Sequence, residues 1–250
     1  VQLAGARLEE GFVEYLLEDL EDLDNPLPQL QHALMRTWDY WSGQEGQDQS
    51  ITISDSQAIG TVRSALQDHL EEIYAELDEK QQGICERLFK SITAKSEQHN
   101  GYLRQASMGN IARIAHCSME DLSEVVEKFR KPQRAFILPL SATALTSDAL
   151  IELSHESLIR NWDRLHQWVE EENESILMYL KLSEASAMYQ QGRTELLRHP
   201  QLQEAINWRE SQSPTPAWGV QFHPAFERAM VFLKTSEEER LWEEEKKISS

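Results

Sequence analysis

The sequence predicts a mainly α fold with one small β-hairpin. Three observations predict it. Apolar residues recur at helical spacing through most of the chain. Glycine and proline number only 10 and 8 in 250 residues, too few for a turn-rich β fold. Only two runs in the second half, near 135–140 and 150–154, are rich in β-formers. A hydrophobic fraction of 40% is enough to fill real cores.

Residues 7–41 read as two helices. Leu8, Phe12, Tyr15, Leu16, Leu17 and Leu20 stripe the first. Asp22, Asp24, Asn25 and Pro26 break it, and Leu30, Ala33, Leu34, Trp38 and Trp41 stripe the second. A polar loop covers 44–50, and Ile51 and Ile53 flank Thr52 in a short extended piece. Ser54 with Gln57 fits a capping box. The helix that follows carries Val62, Ala65, Leu66, His69, Leu70, Ile73, Tyr74 and Leu77 on one face. His69 on that apolar face reads as a packed histidine, not a ligand.

Asp78 with Gln81 opens a helix lined by Ile84, Cys85, Leu88, Phe89 and Ile92. After a polar loop at 95–101 come a short strand at 102–105 and a short helix at 108–115. Ser118 and Asp121 cap a third helix, which Lys131–Pro132 stops. The β-rich runs at 135–140 and 150–154 form a hairpin. Three helices and then a hairpin is the order of a winged helix-turn-helix. The second strand feeds a helix striped by Leu158, Ile159, Trp162, Leu165 and Val169. Further helices read at 174–191, 194–209 and 224–247, with Pro214 and Pro216 between the last two and Ser236 with Glu239 capping the Glu/Lys-rich end. The expected units are therefore 1–76, helical; 77–170, winged helix-turn-helix; and 171–250, C-terminal helices ending in a linker helix.

The formal net charge of −19 and pI near 4.8 oppose binding to nucleic acid or anionic membranes, which need a basic footprint. Cys85 and Cys117 form no CxxC pair, which excludes zinc-ribbon and thioredoxin readings; both read as buried thiols in a reducing, cytoplasmic compartment. The first residues show no signal-peptide pattern, no run of 18 apolar residues exists, and a start on Val reads as an excised fragment.

Catalytic motifs are missing from this sequence. It has no GxxxxGK[ST], no GxGxxG, no GxSxG, and His155-Glu156 is not followed by the second histidine of HExxH. No catalytic residue and no metal ligand is assigned, and the chain is expected not to be an enzyme by itself.

Two strings stand out. The first is Leu27-Pro28-Gln29-Leu30-Gln31-His32-Ala33-Leu34-Met35-Arg36-Thr37-Trp38. A proline in the first helical turn loses no hydrogen bond and fixes the entry angle, so such a helix start can lie against a planar ligand or simply begin a core helix. The second runs from Ile151 to Trp162 through His155-Glu156-Ser157-Leu158-Ile159-Arg160. His155 falls where a strand turns into a helix, beside free backbone N–H groups, and serves either an anion or the helix cap.

These strings, in this order, resemble the bacterial novel STAND NTPases. The first is similar to the family's GxLPLLQ segment and the second to its HE.LIR.W segment, with Trp162, Leu165 and Trp168 in place. The similarity is good over about 8–170 and extends weakly to about 236. The resemblance implies that residues 1–76 are a helical lid bearing the GxP-type motif, with Pro28 beside the adenine. It implies that His155 reaches the ADP β-phosphate and holds a resting state. ADP or ATP would bind only together with an upstream P-loop NTPase domain, and that domain, an effector or sensor domain, and further copies of the activated protein would be the partners. The sequence departs from the pattern where Asn25, Pro26 and Leu27 replace the expected glycine region and Gln29 a usual leucine. Two other readings stay open: an architectural adaptor using Trp208, Trp218 and Trp242 as anchors, and a winged-helix DNA-binding regulator, which Glu120, Asp121, Glu124 and Glu127 oppose.

Overall fold

The computed structural model describes residues 6–21, 26–44, 50–95, 102–132 and 134–248. Asp22, Asp24 and Asn25, and most of the polar loops at 44–50 and 95–101, lie outside the described residues.

The chain opens with β1 (Arg7–Leu8), which pairs in parallel with β2 (Ser50–Ile51). Leu8 is thus extended, not helical as its spacing suggested. Between these strands run α1 (Phe12–Leu20) and α2 (Leu27–Ser42). The short helix α3 (Ile53–Ala58) follows, capped by Thr52 and Asp55 in a reciprocal box, not by Ser54 and Gln57. The strand at 50–51 holds Thr52 extended at its mouth, so Thr52 takes the N-cap position and Ser54 falls inside the helix. The helix α4 (Val62–Ala75) has its own box, Thr61 with Ser64. Phe12, Leu16, Ala33, Ile51, Val62 and Ala65 are buried together and form the first core. An apolar groove of about 610 Å³ between α1 and α2 is lined by Val13, Leu17 and Leu34, among others.

The next unit runs α5 (Glu79–Ile92), β3 (Thr93–Ala94), β4 (Tyr102–Leu103), β5 (Ala106–Ser107), α6 (Met108–Ala115), α7 (Met119–Arg130), β6 (Ile137–Leu138) and β7 (Leu150–Leu153). Asp78 with Gln81 and Ser118 with Asp121 cap α5 and α7 as expected from the sequence. The strands β5, β7 and β6 form one antiparallel sheet in that order, so the hairpin strand β7 is central. Arg130 is almost fully buried and donates to the carbonyls of Pro139, Leu140 and Thr143, which fixes the hairpin loop against α7. The second core stacks Phe89, Phe129, Trp162 and Trp168 edge to face. It also takes in Leu66, Leu70, Ile73 and Leu77, so α4 serves two cores.

After β7 come α8 (Ser157–Asn161) and α9 (Asp163–Gln190). The apolar stripe read as one helix from 155 breaks at Trp162, whose backbone is extended (φ −121°, ψ 102°) and whose ring is fully buried. Then α10 (Gln201–Gln212), α11 (Pro216–Gly219) and α12 (Phe226–Ile248) enclose a third core with the far half of α9. Trp208 and Trp218 are buried there, and Trp242 is half exposed. Ser236 is no cap. It is buried within α12, donates to the Phe232 carbonyl and accepts the Leu197 N–H. Cys85 is buried and Cys117 half-buried, both as free thiols. No described helix is long and apolar enough to cross a membrane.

Candidate functional site

The two singled-out strings meet. Pro26 precedes α2 and Pro28 sits in its first turn, where a missing N–H costs nothing. One helical face then carries Pro28, Gln31, His32 and Met35 into a cleft of about 300 Å³. The opposite wall is Ser154, His155, Ser157 and Leu158, at the turn from β7 into α8. Leu66 of α4 and Arg134, Ala135 and Phe136, just before β6, complete it.

His155 is half-buried, and one side of its ring is bonded. The Ser157 backbone N–H donates to Nδ1 at 3.0 Å, and the Ser157 hydroxyl lies 2.8 Å from the same nitrogen. The imidazole thus caps α8, the role that a serine or aspartate side chain usually fills. A ring nitrogen that accepts a backbone N–H carries no proton, so the proton sits on Nε2. Among the described residues Nε2 has no hydrogen-bond partner. The capping and the ligand-facing readings of His155 are therefore compatible, because they use different nitrogens.

His32, on the α2 wall of the cleft, pairs with a further imidazole. His69 Nδ1 and His32 Nε2 are 3.1 Å apart and share one proton, with the rings stacked at 5.1 Å and Phe136 against both. Burial and then the Arg36 charge push His32 down to about 4. The same two causes, with lesser contributions from its neighbours, push His69 down to about 3. Both rings are neutral at pH 7. His69 is a packed histidine, as its apolar surroundings suggested.

Basic side chains gather here although the chain is strongly acidic. Arg36, Lys131 and Arg134 line an adjoining cleft with His69. Arg134 borders both clefts and is held by Glu76 and by the Lys128 carbonyl. Sequence reading did not find Arg134, which lies in no motif. His32 was within the first string, four residues beyond Pro28 on the same helical face, and a helical wheel would have found it. Among the described residues no cluster of three or more groups suits a metal ion.

The family model described as Novel STAND NTPase 1 matches residues 1–196 of the 250. The chain belongs to this family. The match takes in both walls of the cleft and ends six residues after α9. Neither the curated proteins nor the solved structures contain a match to this novel STAND chain.

Proposed function

We propose that this chain is the regulatory part of a novel STAND signalling NTPase, a lid and a winged helix that hold a resting state while ADP is bound. Residues 1–76 are the lid and 77–170 the winged helix, with α5, α6, α7 and the β6–β7 hairpin as its parts. The observation that carries the reading is that Pro28 and His155, far apart in sequence, line one cleft.

The cleft is at the small end of the range for ligand sites, which suits half a nucleotide pocket. The other half belongs to an upstream P-loop NTPase domain. There Pro28 packs by the base, and the Nε2–H of His155 donates to a phosphate oxygen. Arg134 and Lys131 add positive potential. Nucleotide can shift a hinge only by binding one state better than the other. A hydrogen bond to a charged phosphate supplies about 1–3 kcal/mol of such bias. Exchange for ATP removes that preference, the winged helix departs, and the cytoplasmic protein assembles with further copies to switch an effector or sensor domain. The chain itself carries no catalysis.

DNA binding is disfavoured by the acids of α7, with Glu120 and Glu124 exposed and Asp121 paired to Lys80. The test uses a polypeptide that includes the NTPase core. His155→Ala should weaken ADP binding by about tenfold or more, as judged by calorimetry. Unchanged ADP affinity in a variant of unchanged Tm overturns the reading.

A further inference from the structure

One face of α2 lines the cleft, and the next residue after Pro28 points elsewhere. Gln29 is 3% exposed and its Nε2 donates to Asn161 Oδ1, at the end of α8, at 2.5 Å. Asn161 Nδ2 donates in turn to the Ser157 carbonyl at 2.8 Å. The Ser157 N–H donates to His155 Nδ1. A run of hydrogen bonds thus leads from the lid residue beside Pro28, behind the cleft, to the ring of His155.

The polarity of this run is determined. The Asn161 amide nitrogen is committed to Ser157, so its oxygen must accept, and Gln29 must present its nitrogen. Gln29 Oε1 is left buried with no partner. An orphaned acceptor weakens the packing, and a leucine would remove it while leaving unpaired only Asn161 Oδ1, which is part-buried. The Gln29–Asn161 bond is thus a poor adhesive. A buried polar contact that adds little stability acts best as a register between elements.

We propose that Gln29 and Asn161 are positioning residues that set Pro28 and His155 in register, so that the Nε2–H faces the ligand side only while α2 is docked on α8. The proposal rests on the nucleotide reading of the cleft. It names the contact that couples the lid to the winged helix.

Three variants test it: Gln29→Leu, Asn161→Ala and the pair. In this chain, Gln29→Leu should keep or raise Tm, and both single variants should shift the His155 ring nitrogen signals in NMR. With the NTPase core present, each single variant should weaken ADP binding by about tenfold, and the pair no more than either alone. A structural role alone would leave the His155 signals and ADP affinity unmoved. That result, with His155→Ala still weakening ADP binding, overturns this proposal and leaves the nucleotide reading standing. Shifted ring signals with ADP affinity indifferent to His155→Ala would support the register and remove the nucleotide reading. If Asn161→Ala unfolds the chain, Asn161→Asp keeps the shape and the acceptor for Gln29 but loses the donor to the Ser157 carbonyl, so it should weaken ADP binding like Gln29→Leu, and wild-type affinity would overturn the proposal.

Discussion

Between α4 and the α8–α9 junction an outer rim of polar contacts, open to water, lies over the apolar core that Leu66, Leu70 and Ile73 share with Trp162. Gln67 exchanges two hydrogen bonds with Asp163, and Glu71 holds Arg164 through both oxygens while accepting the Trp162 indole N–H. The Glu71 and Arg164 side chains are 38% and 35% exposed. Where α9 meets α5 and α11, two charged side chains, Lys90 and Glu172, are themselves buried, although Glu86 and Glu171 are about a third exposed. Lys90 is 2% exposed between Glu86 and Glu171, and Glu172 is sealed against the Trp218 indole. Burial holds the Glu172 carboxyl above its ordinary range. Charge-paired surfaces part and re-form in water at little cost, whereas separated buried charges lose their only partners. The polar rim of the first seam is the looser of the two, and its hold comes from the apolar core beneath.

The largest effect should come from breaking the second seam. Trp218→Ala removes a buried ring and leaves Glu172 without its donor, which should cost about 3–5 kcal/mol in urea unfolding. A loss below about 1 kcal/mol would show that this seam is no firmer than the other.

Acid should act beside the first seam, where His32 of α2 and His69 of α4 meet against Phe136. Their folded-state values, about 4 and about 3, lie below the ordinary 6.5. Above pH 6.5 neither state binds the protons and stability is full. Below it the unfolded chain takes up protons that the folded chain refuses. Stability then falls until about pH 4 for His32 and about pH 3 for His69. At its steepest the slope is about 1.4 kcal/mol per pH unit for each histidine. Urea titrations from pH 7 to 4.5 should show it, and His69→Phe should make the slope shallower by one proton.

Glu71→Ala sharpens the contrast. It strands the Trp162 indole N–H and frees Arg164, for about 1–3 kcal/mol. Arg36→Ala, which breaks a partly exposed pair with Glu72, should cost under about 1 kcal/mol at pH 7. Its sharper signature is at low pH. Removing that charge lets both histidines bind protons at higher pH, so the acid loss of stability levels off sooner.

Much of this was legible because its causes are local. The caps at Asp78–Gln81 and Ser118–Asp121 join residues three apart, and α6 spans the residues that its periodicity marked. The errors have long-range causes. Thr52 outcompetes Ser54 as a cap because β1, from the start of the chain, holds β2 extended. The break at Trp162 keeps the apolar period on both sides, so a stripe alone hides it. Ser236 looked like a cap because its true partner, the Leu197 N–H, is remote. Pro28 and His155 were legible as motifs, and that they share a cleft is a property of the fold. Gln29 stood out only as a departure from the family pattern. Its bond to Asn161 depends on how α2 meets α8.

One helix touches both halves of this contrast. α9 has 28 residues, so it is about 42 Å long. Leu165 and Trp168 anchor its near end against α5 and α7, and Tyr179 and Leu182 anchor its far half among the C-terminal helices. A rod of that length is a lever. A tilt of about 10° at Trp162 would sweep the far tip through about 7 Å, an amplitude that a flexible tether would dissipate. A displacement of ångström scale where α8 meets α9 would therefore reappear, several times enlarged, among the last helices.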